Sequence, residues 1–192
     1  VGRLIGLAGL ARSGKDTAGN YLVTNHGFDA RAMFAGPLKD AARHIFGLSH
    51  EEVHGVNYDR ESAHPAWGFS VRHMLQKLGT ESVRDIFGQD HWVQLMRLRL
   101  ATGDLRDKDV VITDVRFDNE VEMIRDLGGQ ILGIVRTDDQ CHNPSYGHVS
   151  EEMASLRLSE VVDHTVFARN VDQLHRELNN AMEKFYGAHT AD

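Results

Sequence analysis

Along this chain the spacing of apolar positions changes several times, and each change marks an element. Leu4 to Ala8 (LIGLA) is a short apolar run that predicts a buried strand. From Lys15 the spacing turns helical, with Ala18, Tyr21 and Leu22 on one face and a stop at Asn25-His26-Gly27. "FDARAMF" predicts a second strand, and "GPLKDAARHIFG" a helix with Pro37 in its first turn and Gly47 at its end. Ser49 is an N-cap signal, and "VNYDRESAHPAWGF" reads as loop. Ser70 to Phe87 predicts an amphipathic helix with Val71, Leu75, Leu78, Ile86 and Phe87 on its apolar side. Gly79 within it predicts a kink or two shorter helices. Asp90 caps a further predicted helix to about Ala101.

The run "VVITDV", Val110 to Val115, is β-branched throughout most of its length, as in a parallel strand buried on both faces. A helix, "NEVEMIRDLGG", and a strand, "QILGIVR", follow. After the polar stretch "TDDQCHNPSYGH", a last strand, "DHTVFA", and a final helix capped by Asn170 complete the pattern. That helix sets Leu174, Leu178, Met182 and Phe185 toward a core. Strands alternating with helices predict an α/β fold of three layers, a parallel sheet of about five strands flanked by helices. We read residues 1–192 as a single domain with a helical region at 48–104. The long polar segment 137–150 is a candidate lid.

Composition narrows the function classes. A net charge of −7 argues against a dedicated nucleic-acid binder, which needs a basic footprint, but leaves room for a small phosphorylated ligand. Cys141 is the one cysteine, so an intrachain disulfide is excluded and a reducing, cytoplasmic setting is expected. Gly and charged residues interrupt the N-terminal stretch too often for a signal peptide, and no run approaches a membrane span. Neither a membrane nor a nucleic acid is an expected partner; a homodimer is left open.

The first chemical signal is Gly9-Leu10-Ala11-Arg12-Ser13-Gly14-Lys15, set between a strand and a helix. Glycines let successive N–H groups turn toward one point, the helix adds its positive end, and the lysine reaches outer phosphates. Asp16 stands where Ser or Thr usually gives a hydroxyl to Mg²⁺. A carboxylate is also a hard oxygen ligand, but it repels a triphosphate unless the metal lies between them. The alternative is a first-turn carboxylate that complements the helix dipole. Thr17 adds a hydroxyl one residue on.

Asp114 falls at the carboxyl end of a predicted buried strand, where open α/β sheets bind ligands, and suits Mg²⁺ contact. Arg116 can pair with a phosphate. Asn119 and Glu120 open the next helix, where capping competes with ligand contact. Arg72 and Gln76 share one edge of their helix, a solvated face unless phosphate and base lie against it. Twelve histidines, including those of "CHNPSYGH", lack zinc-site spacing and read as surface residues. Trp67 and Trp92 read as packing residues, with stacking on a base as the alternative for Trp67.

The ordered blocks "GLARSGKDT", "FAGPLKDAA", "VRHMLQKLGTESVRDIFGQDHW", "ITDVRFDNEVEMIRDLGGQILGIVR" and "HVSE" resemble the deoxynucleoside monophosphate kinases of bacteriophages, within the P-loop nucleotide kinases. The resemblance covers residue 6 to about 152, and "GTExxR" and "DVRFxNE" are its most specific parts. It implies a P-loop kinase fold, ATP with Mg²⁺, and transfer to a deoxynucleoside monophosphate. In a phage setting it implies a host-cytoplasmic enzyme. Its loop also reads Gly-Lys-Asp, which makes Asp16 ordinary within it. By the same resemblance Gly9 to Thr17 bind ATP, with Asp16 and Asp114 at the metal. Arg72, Gln76 and Arg84 contact the acceptor, and Asp114, Arg116 and Glu120 line the reaction centre. Lys39 and His148 are further acceptor-side candidates, His148 within the block that includes Ser150 and Glu151.

A phosphate acceptor is already anionic at neutral pH, since its second ionisation lies near pH ~6, so no general base is required. Lys15, Mg²⁺ and arginines carry the electrostatic work, with Arg12, Arg116 and Arg136 the candidates. Arg169, after the last strand, is placed near adenine by fold analogy alone. Two rival readings stay open: a kinase of dephospho-coenzyme A or phosphomevalonate, and a non-catalytic nucleotide-binding protein.

Overall fold

The computed structural model describes residues 2–137 and 158–187. Cys141, His142, His148, Ser150 and Glu151, with all but the first residue of the 137–150 segment, lie outside the described residues. The elements in chain order are β1 (Leu4–Ala8), α1 (Lys15–Asn25), β2 (Ala30–Ala32), α2 (Gly36–Phe46), α3 (His50–His54) and α4 (Val71–Gln76). A π-helical segment (Lys77–Arg84) leads into α5 (Asp85–Phe87), then α6 (His91–Ala101), β3 (Val110–Val115), α7 (Asp118–Asp126) and β4 (Gln130–Arg136). The last are α8 (Leu158–Val161), β5 (His164–Ala168) and α9 (Val171–Tyr186). Among the described residues no helix is long and apolar enough to cross a membrane. The chain divides into two compact units, Val1–Met33 with Arg97–Asp192, and Phe34–Met96.

The first unit is built on the expected five-stranded sheet, in the order β2-β3-β1-β4-β5. Every pairing is parallel. β1 is the central strand and is buried along its whole length, which explains its unbroken apolar composition. Ile5 and Leu7 join Ala18 and Leu22 of α1 and Leu174, Leu178 and Met182 of α9 in one core on one face of the sheet. Gly6 faces the other way, where a Cβ would lie 2.6 Å from Ile124 of α7 and 2.9 Å from Ile131. The predicted strand "FDARAMF" is formed only at Ala30–Ala32, while Phe28 turns into the core.

α1 lies unusually close to β3 because residue 19 has no side chain. A Cβ there would sit 2.5 Å from Thr113 Cγ2 and 3.1 Å from Arg31 Cδ. Gly19→Ala is therefore expected to push α1 from the sheet and to cost about 1–3 kcal/mol, the usual range for overpacking. Urea denaturation checks this; a variant as stable as the parent would mean the contact is slack.

The second unit packs Leu48, Val53, Val71 and Met74 into its own small core, with Phe46, Tyr58 and Leu75 around it. Ser49 caps α3 as its sequence predicts: its hydroxyl accepts from Glu52 N at 3.2 Å, and Glu52 Oε2 accepts from Ser49 N at 2.7 Å. Glu52 Oε1 also meets His64 Nε2 at 3.0 Å. The Ser49 N–H first, then the Ser49 hydroxyl and His64, hold the Glu52 carboxyl below its ordinary value of 4.5, against the opposing effect of burial. A folded-state value below the unfolded one stabilises above the unfolded pKa and loses that contribution as pH falls through the folded value. The stability gap between parent and Glu52→Gln at pH 7 is thus expected to narrow as pH falls below 4.5 and through the lower folded-state value. Denaturation over a series of falling pH values reads this directly, and a constant gap would contradict it.

The helix expected to kink or divide at Gly79 leaves the α-helical form there: α4 and α5 are joined by a π-helical segment, in which Asp85 N–H donates to Thr80 O, five residues back. Gly79 is accommodated within it. Leu38 Cδ2 lies 2.7 Å from where its Cβ would stand, and Trp92 Nε1 donates to its carbonyl at 3.2 Å. The wider turn rotates later residues off the α-helical stripe. Ile86 and Phe87, expected on the apolar side, are consequently 68% and 71% exposed. Rare π segments of this kind occur often at functional sites, and this one carries the "GTExxR" residues.

Candidate active site

The loop from β1 to α1 is shaped by two glycines and one strained arginine. Gly9 has φ +150°, and a Cβ on it would stand 2.4 Å from Ile134 O, so the backbones of the loop and β4 approach as only glycine permits. Gly14, at φ 101°, is the N-cap of α1, and no side chain caps that helix. Arg12 is left-handed at φ 63° although it carries a side chain, a conformation that costs about 1–3 kcal/mol and clusters at functional sites. The Ser13 N–H closes a turn onto Leu10 O at 3.2 Å. Lys15 folds back over this loop, its Nζ donating to Gly9 O at 2.8 Å and Leu10 O at 2.5 Å. The ammonium, the uncapped helix end and the glycine turn together form a positively polarised cradle of the kind that receives phosphate oxygens.

Parallel topology brings the other strand ends to the same edge. Ala8 pairs with Val115 of β3 and with Gly133 of β4, and Arg136 pairs with Ala168 of β5. Arg116, Arg136 and Arg169 therefore stand at the carboxyl ends of β3, β4 and β5, beside the loop that leaves β1. Arg116 and Arg136 are half-buried; Arg12 and Arg169 are exposed.

β3 carries an irregularity that the sequence does not show. Gly6 pairs with Ile112 and Ala8 with Val115, so two residues of β3, Thr113 and Asp114, stand where the register allots one. Strict alternation would put Asp114 on the face of Ile112; the bulge interrupts that alternation, and bulges are common beside active sites. Asp114 is half-buried. Its neighbour Thr113 is 3% exposed, and its Oγ1 has no hydrogen-bond partner among the described residues.

Glu120, expected to line the reaction centre or to serve the start of its helix, is 2% exposed. Its Oε2 accepts from Arg116 N at 2.7 Å and Phe117 N at 3.1 Å. In these contacts it holds the turn that carries Arg116. The three-residue reach back from helix start to backbone follows from a Glu in the third helical position.

The acceptor-side candidates Lys39, Trp67, Arg72, Gln76 and Arg84 belong to the second unit. Arg72 and Gln76 lie one turn apart on α4, Arg84 ends the π-helical segment, and all three are half-buried. The Arg72 guanidinium donates to Glu61, and Lys39 Nζ lies 3.4 Å from His54 Nδ1. Trp67 is 41% exposed and rests edge-on against Phe46, its Nε1 donating to Phe46 O at 3.0 Å. Trp92 is buried, in keeping with a packing role.

Asp16 and Thr17 are exposed in the first turn of α1. With Asp114 they are hard oxygen donors, and the orphaned Thr113 hydroxyl is next to Asp114 alone in sequence, on β3. Among the described residues no three His, Cys, Asp or Glu side chains gather to hold a metal. That donor set fits a magnesium ion shared with nucleotide phosphates, which keeps its waters and needs only one or two carboxylates. One partner was missed at the sequence level: Arg31 of β2, whose Nη1 lies 3.4 Å from Asp16 Oδ1. A lone arginine in a weakly patterned strand gives no warning of that contact.

Known proteins fit this architecture. Residues 63–174 match the family model described as deoxynucleotide monophosphate kinase. A relative from Acanthamoeba polyphaga mimivirus, provisionally named for that activity, is 37% identical over 174 residues, covering 83% of this chain and 86% of its own. The protein named deoxynucleotide monophosphate kinase in Enterobacteria phage T4 is 24% identical over 223 residues, covering 83% of this chain and 91% of its own. The crystal structure of TT1252 from Thermus thermophilus superposes with a TM-score of 0.51 at 11% identity, covering 97% of this chain and 98% of that one; it shares the fold.

Proposed function

The chain belongs to the deoxynucleotide monophosphate kinase family, and from that premise we infer that it phosphorylates deoxynucleoside monophosphates to the diphosphates, with ATP as donor. The observation that carries the reading is the cradle at Gly9–Lys15, where the Lys15 ammonium is folded over loop carbonyls beside an uncapped helix end.

In this mechanism the donor's phosphates displace the Gly9 and Leu10 carbonyls as partners of Lys15, and the first-turn N–H groups of α1 take the remaining oxygens. Charge on the moving phosphoryl group is offset by Lys15 and by Arg12 and Arg116 at the loop and at the end of β3. Arg136 is a further candidate at the same edge, and Arg169, after β5, would meet the donor base. Asp16 and Asp114 would hold Mg²⁺, which when bound would supply Lewis-acid polarisation and charge neutralisation to the phosphates. The acceptor is already an anion, so no residue is asked to remove a proton. Arg72, Gln76, Arg84 and Lys39 supply the groups suited to a second, monophosphate nucleotide; Trp67 offers an exposed ring face to its base.

A coupled assay with ATP and magnesium against each deoxy- and ribonucleoside monophosphate tests the reading, with dephospho-coenzyme A and phosphomevalonate alongside. Turnover with one or more of the deoxynucleotides is expected. Turnover confined to a non-nucleotide acceptor would overturn the assignment.

A further inference from the structure

A carboxylate at position 16 brings negative charge to the mouth of a polyphosphate cradle, and the fold answers it with Arg31. The Arg31 Nη1 lies 3.4 Å from Asp16 Oδ1 and 3.3 Å from the Asp16 backbone carbonyl. An exposed ion pair alone is a weak constraint, but two further features fix this one. Arg31 is set in the sheet by the pairing of β2 with β3, opposite Val111. Its aliphatic stem lies on α1 in the space that Gly19 leaves open, 3.1 Å from Cδ and 3.6 Å from Cγ to the position of a Cβ. A side chain at residue 19 would displace that stem, so the close approach of α1 to the sheet and the placement of the guanidinium have one origin.

Resting on the reading that this cradle takes a metal-bound nucleotide, we propose that Arg31 is a positioning residue that holds and neutralises the Asp16 carboxylate until a divalent cation replaces it as that carboxylate's partner. Arg31 thereby compensates for the loss of the neutral hydroxyl that phosphate loops usually carry at this position. Its contribution is greatest when nucleotide binds without metal, because Asp16 then faces the phosphates with no other cation between them. With metal present, Asp16 is engaged by the cation and Arg31 matters less. The same pairing makes Arg31 a competitor of the cation for Asp16, so its removal strengthens the gain in nucleotide affinity that magnesium confers.

The test is ATP binding by titration calorimetry, with EDTA and with saturating magnesium, on the parent and on Arg31→Gln, Arg31→Lys, Asp16→Asn and the Asp16→Asn/Arg31→Gln pair. Arg31→Gln should weaken metal-free ATP binding about 3–10-fold, the size expected of one unscreened like charge near the phosphates. It should change magnesium-ATP affinity by less than about 2-fold, consistent with a carboxylate then engaged by the cation. Arg31→Lys should restore most of the metal-free affinity, and in the Asp16→Asn background the Arg31 substitution should have no effect. Equal weakening with and without magnesium, or an effect that persists in Asp16→Asn, would overturn the proposal. Lys15→Ala is the control for the underlying reading. If it binds ATP like the parent, the cradle is not the nucleotide site and the functional reading fails. If it loses ATP while Arg31→Gln is indistinguishable from the parent, only the role of Arg31 fails.

Discussion

Lys15→Ala is expected to lower kcat by about 10²–10³-fold, the loss typical of removing one preorganised donor from a developing anion. The Lys15 side chain makes its contacts with loop carbonyls of Gly9 and Leu10. Gly9 is buried and Leu10 half-buried, but the loop runs on through half-buried Ala11 and exposed Arg12, where water can reach the site of the ammonium, so the fold should survive. A melting temperature within a few degrees of the parent is expected, since at this chain length about 1 kcal/mol corresponds to roughly 2–4 °C. Lys15→Arg should recover little, because the planar guanidinium is bulkier and differently directed than the point charge the loop encloses. Steady-state assays with ATP and deoxynucleoside monophosphates read the effect. Parent-like turnover in Lys15→Ala would remove the loop from the chemistry.

Glu120→Ala should be the most destabilising single change at the site. Its carboxylate accepts from two backbone N–H groups, those of Arg116 and Phe117, at a position only 2% exposed. Truncation leaves both donors buried without that acceptor and opens a small cavity, for a loss of about 3 kcal/mol. Converted by the size scaling, this is a fall of roughly 6–12 °C in melting temperature. Glu120→Gln keeps an acceptor oxygen in reach and should lose about half as much. Because the turn carries Arg116, the folded fraction of Glu120→Ala should also transfer phosphate more slowly when assayed well below its melting point. A Glu120→Ala protein that melts with the parent would show that the turn is held by other means.

Much of the architecture was legible along the chain. β1, β3 and β4 begin and end where their apolar runs do, because a parallel strand covered on both faces cannot carry a polar residue without a special reason. Ser49 and Asn170 cap helices where the sequence placed them, since a cap needs only a local side chain and the N–H groups two or three residues on. β2 was overcalled: the apolar letters of "FDARAMF" serve two purposes, three residues pairing with β3 and Phe28 filling the core. At Gly79 the sequence shows that the α-helix is interrupted but not the form of the interruption, a π-helical segment. Glycine lowers helix propensity locally, but here the space it leaves is filled by Leu38 and its carbonyl is bound by Trp92.

The phosphate loop itself is a local device. Glycine spacing, a lysine and the helix that follows are contiguous, so Gly9 to Thr17 could be read from their order alone. Which charged groups serve chemistry and which serve the fold was decided only in three dimensions. Asp114 and Glu120 are six residues apart in one block, yet the first lies at a bulge of β3 and the second is buried and accepts from backbone amides. Arg31 and Asp16 are joined across the gap between β2 and α1, a distance set by the missing side chain of Gly19. Sequence thus determined the elements and the cradle, because their causes lie within a few residues of one another. Tertiary structure decided register, burial and charge pairing, because those depend on which distant backbone happens to lie alongside.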